Sequence, residues 1–468
     1  MSIAALRFDA DDERYIRELS EYVAIPSVSR DGDPAVMRRA AQWLAARLDF
    51  ARPRIVETRG FPVVVGQWMG RPQAPTVLVY GHIDVQPTGD IDEWLTPPFE
   101  ATRVTGPDGE DRLRGRGVTD DKGPSYIAIE TCRQFLAQEG ALPLNVKFLF
   151  ECEEEIGSPH LADFVHAHAE ELGADLVISA DGAMWRTDEP SLSIASKGLL
   201  ALDIEVEGPN RDLHSGRYGG TVANPIHALV ELLATLHHPD GRIAVEGFDD
   251  GVPALSDEER NEIEAVPFSE EAYRADLGVD QTHGEPGLGT LARLWTRPTL
   301  EINGIRGGGS YTVIPHVASA HLTCRLVAGQ HPDAVYEAIV RHVNAHIPRG
   351  TRVGISREGG SVPAYAIDRD HPAITAATAA LAEVYPNERV LLARIGGTLP
   401  ATTLFEDALG AKTLFFSFAY ADELHHAPNE FLRVRRLREG MRAWEILLRL
   451  LGDGEHRLAQ RAREEAIA

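Results

Sequence analysis

Apolar residues along this chain follow two different rhythms. Tyr15, Ile16, Leu19, Tyr22 and Val23 recur at helical spacing, and Ile25-Pro26-Ser27 stops that helix. Val36, Ala40, Trp43, Leu44 and Leu48 mark a second helical face just downstream. At 76–80 the signal changes to a short, continuous apolar run, Val77-Leu78-Val79-Tyr80 after Thr76, as expected of a strand covered on both faces. Similar runs stand at 146–150, 176–178 and 413–416, with helical stretches between them. Strands alternating with helices predict an α/β sheet, in which ligands gather beyond the carboxyl ends of the strands.

From about Ser196 the rhythm becomes strict alternation. Leu202, Ile204 and Val206 alternate with Asp203, Glu205 and Glu207, and Leu322, Cys324 and Leu326 alternate with His321, Thr323 and Arg325. Such strands bury one face and wet the other. Asn224-Pro225 is a good N-cap and first-turn pair, opening a helix with Ile226, Leu229, Val230, Leu233 and Leu236 on its apolar side. Val335, Ile339 and Val343 predict another helix after Pro332. Half-exposed strands backed by two helices predict a small α+β domain, ending near the Gly359-Gly360-Ser361 turn. The expected order is a catalytic domain at 1–195 and 366–468, interrupted by an inserted domain at 196–365.

With 468 residues the chain is too long for one core, so two domains are the default. Its 46 Lys+Arg against 71 Asp+Glu give a formal net charge of -25, which repels phosphate backbones and argues against nucleic acid and anionic membranes as partners. No window has the roughly 18 uninterrupted apolar residues of a membrane span. The opening MSIAALRFDADDERY lacks a basic region followed by an apolar run, so a cytoplasmic protein is expected. Cys132, Cys152 and Cys324 are odd in number and not in CxxC spacing, as in a reduced chain whose cysteines are small buried side chains.

Five strand ends of the α/β part carry chemistry. Gly81-His82-Ile83-Asp84 follows the first buried strand; His82 and Asp84 point the same way on an extended chain, which suits a metal ligand with an orienting group. Next comes Arg114-Gly115-Arg116-Gly117-Val118-Thr119-Asp120-Asp121-Lys122-Gly123-Pro124, which lacks GxxxxGK[ST] spacing, and whose adjacent carboxylates would repel phosphate and suit cations. The strand at 146–150 runs into Glu151-Cys152-Glu153-Glu154-Glu155-Ile156-Gly157-Ser158, where so many glutamates are costly unless a cation compensates them. Asp181 follows the strand at 176–178, and His425-His426 follow the strand at 413–416. Imidazoles and carboxylates without thiolates fit a catalytic zinc, manganese or cobalt site. Two metals sharing one carboxylate need about this many ligands, and a spare Glu could take a proton from water held there. A serine-hydrolase reading lacks a GxSxG elbow after a strand.

In GHIDVQP, GRGVTDDKGP, EEEIGS and DLHSG the sequence resembles the dinuclear-zinc exopeptidases that include cytosolic dipeptidases and carnosinases, glutamate carboxypeptidase and the acetylornithine and succinyl-diaminopimelate deacylases, and is most similar to the dipeptidase branch. All five motifs occur in the family's order and nearly the whole chain is covered. The resemblance implies a mixed sheet sandwiched by helices, with the smaller α+β domain inserted as a lid and dimerisation domain. It implies two divalent ions per chain, zinc first and manganese or cobalt as alternatives. His82 and Asp181 would bind one and Glu155 and His426 the other, with Asp120 bridging them and the Asp120-Asp121 bond cis. Glu154 would be the general base and Asp84 would orient His82. Glu154 and Glu155 are chosen among the three consecutive glutamates because Ile156-Gly157-Ser158 then aligns with the family's residue-Gly-Ser, and His426 stands at the family spacing before Asn429-Glu430. In the lid, His214 resembles a histidine that reaches into a partner subunit's site to stabilise the oxyanion, which implies a homodimer. Arg325 resembles the arginine that grips a substrate's terminal carboxylate, and Thr312 and Thr398 resemble further substrate contacts.

The expected activity is therefore that of a metallopeptidase of dipeptidase or carboxypeptidase type, with small peptides as substrates. N-acyl amino-acid deacylation is the second enzymatic reading, since the same site cleaves either amide. A non-catalytic metal-dependent binding protein on the same fold is the reading from another class, and a base Glu beside a full ligand set speaks against it.

Overall fold

The computed structural model describes residues 5–9, 12–30, 32–187 and 189–453. The chain forms two compact units: one takes the chain through Ile194, Ile367–Ala393 and the chain from Pro400 onward, the other Ala195–Ala366 and Arg394–Leu399.

The first unit is built on a six-stranded sheet, in the order Arg54–Val56, Val63–Trp68, Asn145–Glu151, Thr76–His82, Leu176–Ser179, Thr413–Phe415. The last four of these are mutually parallel, Val63–Trp68 joins them antiparallel and Arg54–Val56 pairs antiparallel with it in turn, so the sheet is mixed. Val77, Leu78 and Val79 are buried because both faces are covered, as their unbroken apolar run predicts. On one side Leu78, Tyr80, Leu149 and Val177 pack with Phe164 and Val165 of helix Leu161–Ala167 and with Phe405 of helix Pro400–Leu409. Helix Gly123–Glu139 also packs on strand Thr76–His82 and lies against helix Arg435–Gly452, whose Trp444 meets Phe416 edge-on. Four parallel strands thus deliver their carboxyl ends side by side.

The second unit is a four-stranded antiparallel sheet in the order Thr299–Gly307, Val317–Leu326, Gly198–Glu207, Arg352–Arg357. Leu200, Leu202, Ile204 and Val206 share its covered face with Ala320, Leu322, Cys324 and Leu326, beneath helices Pro225–Leu233 and Pro332–Ala345. The expected cap is present, with the Asn224 side chain accepting from Ile226 N at 2.9 Å. The helix it opens is turned relative to the sequence expectation: Val230 is 51% exposed, while Leu232 is buried. Both flank the Leu229–Leu233 row, and the sheet lies on the Ala228 side, where a small residue permits close approach. Helices Asp257–Glu264, Glu270–Leu277 and Thr290–Thr296 are absent from the periodicity reading; the first two bury almost nothing, though Ser256 and Glu259 form a capping box ahead of the first, while the third buries Leu291, Ala292 and Trp295.

An α/β unit with a mixed sheet, and a smaller α+β unit inserted in its sequence, match the expected fold class. The three cysteines are free and buried. Among the described residues no helix is long and apolar enough to cross a membrane.

Candidate metal centre

His82 is the last residue of the central strand Thr76–His82, hydrogen-bonded in register beside Glu151. Its Nδ1 donates to the main-chain oxygen of Asp84 at 2.9 Å, which points Nε2 toward Asp120 Oδ1 at 3.1 Å. A carbonyl can only accept, so this contact places a proton on Nδ1 and leaves Nε2 with the open lone pair of a neutral ring. The Asp84 carboxylate stands 3.5 Å from Nδ1, but its hydrogen bonds are elsewhere: it accepts from Glu154 N at 3.2 Å and Glu155 N at 3.0 Å. One short motif therefore aims the histidine with its backbone and pins the glutamate turn with its side chain. Gly81 is obligatory here, because a Cβ would stand 2.3 Å from Ser125 Oγ and 2.4 Å from Asp121 Oδ2. Asp121 Oδ2 in turn accepts from His82 N at 3.1 Å and Ser125 Oγ at 2.6 Å.

Asp120 sits in the turn before helix Gly123–Glu139, and its peptide bond to Asp121 is cis. While Oδ1 faces His82, Oδ2 lies 2.9 Å from His426 Nε2. His82, Asp120 and Asp181 each offer a ligand atom within 4.8 Å of the others, and Asp120, Glu155 and His426 do the same. Two candidate cation sites thus share Asp120. Asp181 follows strand Leu176–Ser179, and His426 lies in a loop after Thr413–Phe415, where its φ of 60° is left-handed.

The three consecutive glutamates separate in space. Glu153 is buried and meets His160 Nδ1 at 2.9 Å, away from both clusters. Glu155 is held by Gln86, whose N and Nε2 donate to its carboxylate at 3.1 and 2.9 Å, and lies 3.2 Å from His426 Nε2. The Glu154 carboxylate takes no hydrogen bond among the described residues, and its charge interacts with His82, Asp181, Glu155 and Asp120. The neighbouring His425 joins neither cluster.

Burial, with Asp120 and Glu155 adding to it against the pull of His82, pushes Asp181 up to about 6. Glu154 is also held well above the usual carboxylate range, by burial first and by Asp181, Glu155 and Asp120 against His82. Asp120 and Glu155 raise the His426 imidazole to about 10 despite its partial burial. Four carboxylates thus crowd around two imidazoles, a cluster that repels its own ionisation and draws cations. The donor set is all nitrogen and oxygen, and divalent cations fit it by charge and by ligand type.

The other sequence-selected residues lie in the second unit. His214 ends the short strand Leu213–His214, paired with Val313–Ile314, and is exposed. Its Nδ1 accepts from Gly216 N at 3.0 Å, which leaves Nε2 carrying the proton of a neutral ring. The Thr312 main-chain oxygen accepts from Ser215 N at 3.0 Å, so His214 and Thr312 flank one two-stranded antiparallel ladder. Arg325 Nη1 donates to Thr398 Oγ1 at 2.8 Å, bringing those two residues together. A third grouping, Asp203, His321 and Glu358, is a half-exposed cross-strand pair with a neighbour, Asp203 and His321 being register partners.

The sequence assigns no role to Asp121, Gln86, Glu423 and Glu430, yet the first two hold His82 and Glu155, Glu430 holds Asp120 and Glu423 holds the neighbouring Thr119. Only their direction in space gives them these roles.

The family model for peptidase family M20/M25/M40 matches residues 78–450. The chain is 30% identical over 447 residues to the human Beta-Ala-His dipeptidase, covering 90% of this chain and 87% of that one. It is 30% identical over 458 residues to the Cys-Gly metallodipeptidase of Schizosaccharomyces pombe, covering 93% and 94%. Among solved structures it is similar to the M20 family metallo-carboxypeptidase of Sulfolobus solfataricus, with TM-score 0.78, 28% identity and coverage of 95% and 100%.

Proposed function

The chain belongs to peptidase family M20/M25/M40, a metal-dependent peptidase with two cation clusters, and from that premise we propose that it cleaves the amide bond of dipeptides and similarly small peptides. The observation that carries this reading is Asp120, whose two oxygens lie 3.1 Å from His82 Nε2 and 2.9 Å from His426 Nε2. One carboxylate facing two imidazoles from opposite sides is what a shared ligand requires. The dipeptidases among the relatives support the choice of small peptides.

In this reading His82 and Asp181 hold one ion, Glu155 and His426 the other, and Asp120 both. Zinc is the first expectation, with manganese or cobalt able to use the same donors. When bound, the two ions supply the positive charge that makes water nucleophilic at neutral pH and polarises a carbonyl. Glu154 accepts the proton of the attacking water on its carboxylate and delivers it to the leaving nitrogen. Its freedom from hydrogen bonds supports that role, since a base must present open lone pairs. Asp84 orients His82 through its main-chain oxygen and fixes Glu154 and Glu155 through its carboxylate.

Arg325 is assigned to the substrate's terminal carboxylate, which its planar guanidinium can bind in bidentate fashion, with Thr312 and Thr398 as lesser contacts. His214 is assigned to the oxyanion of a second copy's substrate, in a homodimer formed through the inserted domain; its free Nε2–H supports the donor role.

The test is a hydrolysis screen of dipeptides, tripeptides and N-acetyl amino acids on metal-free enzyme with Zn²⁺, Mn²⁺ or Co²⁺ added back. Dipeptides should be cleaved fastest. Preference for N-acetyl amino acids would replace this reading with deacylation at the same site.

A further inference from the structure

We propose that Glu423 and Glu430 are positioning residues that lock Asp120 and His426 into one rigid pair, so that the second cation cluster is assembled before a cation arrives. The inference rests on the reading that Asp120 and His426 hold cations. Neither glutamate joins a cluster, so both would act through other residues.

The two glutamates bracket the loop that carries His426. Phe431 N donates to Glu423 O at 3.2 Å, closing the loop on itself, and Leu424, His426 and Asn429 turn it through left-handed φ values of 58°, 60° and 67°. Both side chains are fully buried. They point into the segment that carries Asp120. Glu430 Oε2 accepts from Arg116 Nη1 at 2.8 Å and Gly117 N at 2.9 Å, while Oε1 accepts from Thr119 N at 3.1 Å and Asp120 N at 3.3 Å. Glu423 Oε2 accepts from Thr119 Oγ1 at 2.6 Å and Tyr420 N at 3.0 Å, and Oε1 from Arg433 Nη1 at 3.1 Å. The main-chain amide of Asp120 is therefore tied to the loop whose histidine it faces. Strand pairing cannot do this alone, because the main-chain contact between the two segments ends at Gly115, whose N donates to Glu430 O at 2.9 Å.

The chemistry favours carboxylates. Burying an ionised carboxylate is costly unless several donors meet it, and both glutamates have an arginine and main-chain or hydroxyl donors arranged around them. Converging N–H groups need an acceptor with lone pairs on both oxygens; glutamine would turn an amide NH₂ toward some of those donors. The same loop extends the brace, since Asn429 accepts from Leu95 N at 2.7 Å and donates to Glu93 O at 2.8 Å.

The test is calorimetric titration of the metal-free full chain with Zn²⁺, alongside the thermal midpoint of each metal-free variant. Glu430→Gln should weaken Zn²⁺ binding by about tenfold to a hundredfold, as loss of a group supporting metal ligands does. Thr119→Val removes only the hydroxyl that Glu423 accepts, and should weaken binding less, in the same direction, in a chain that folds. Glu445→Gln disturbs a buried carboxylate bonded to Leu6 N, Arg442 and Arg449, and should lower the midpoint with Zn²⁺ affinity unchanged. Wild-type affinity in both Glu430→Gln and Thr119→Val, or an equal loss in Glu445→Gln, would overturn the inference. Asp120→Ala serves as reference: wild-type Zn²⁺ affinity in that variant would overturn the ligand reading beneath it.

Discussion

The carboxyl end of the mixed sheet and the antiparallel strands of the second unit hold their chemistry in opposite ways. At the first, His82 is inaccessible and Glu155 is held by Gln86 and by the Asp84 carboxylate through its own main chain. At the second, His214 is exposed with one side-chain contact to its own turn, and Arg325 rests on Thr398. The difference follows from what each must resist. Carboxylates gathered for a cation repel one another, so a neighbouring frame has to hold them; a lone imidazole and a lone guanidinium face no such mutual repulsion. The rigid end is where a small change should cost most.

Removing metal is the severest way to break the comparison. Purified protein should carry up to two divalent ions per chain, and chelation should abolish hydrolysis until metal is restored; full activity in exhaustively demetallated enzyme would leave the rigid end without a purpose. Within that end, Glu154→Gln should lose at least about a hundredfold in kcat while metal content by elemental analysis stays at wild type, whereas Glu155→Gln should lose metal too. The reverse pattern would exchange the two roles.

The residues of the second unit should respond more selectively. Arg325→Ala should lower kcat/KM for dipeptides by roughly tenfold to a hundredfold, the scale of hydrogen bonds to a charged group, and leave their C-terminal amides little changed. Equal losses on both substrates would make Arg325 structural. The smallest signal is a recovery. His214→Ala and Glu154→Gln, each nearly inactive, should on mixing regain about a quarter of wild-type sites if His214 serves a partner copy, since half the dimers are mixed and each has one site without either defect. No recovery despite demonstrated subunit exchange would return His214 to its own chain.

Much of this contrast was legible in the residues. The unbroken run at Val77-Leu78-Val79 and the alternation at Leu202, Ile204 and Val206 already separate a sheet covered on both faces from one covered on one. Helices Asp257–Glu264 and Glu270–Leu277 leave no apolar period in the sequence because they bury little: Ile263 is the one buried residue of the first, and the second has none. Val230 was placed inside because its spacing from Ile226 and Leu233 suits the apolar row as well as that of Leu232; the side from which the sheet approaches decides between them, and periodicity does not contain that.

The sequence by itself determined which donor types the α/β part carries and in what order: His82, then Asp120, the glutamates, Asp181 and His426, with no thiolate among them; Asp120, expected at a strand end, instead stands in the turn that opens helix Gly123–Glu139. Donor types and their order are properties of composition and local pattern. The family resemblance aside, only the tertiary structure decided which of three identical glutamates faces a cluster, because Glu153, Glu154 and Glu155 differ in nothing but backbone direction. That direction is imposed by His160, Asp84 and Gln86 from elsewhere in the chain. It decided likewise that the two oxygens of Asp120 face two different histidines. An angle between groups brought together from positions 82, 120 and 426 has no trace in any local window of sequence.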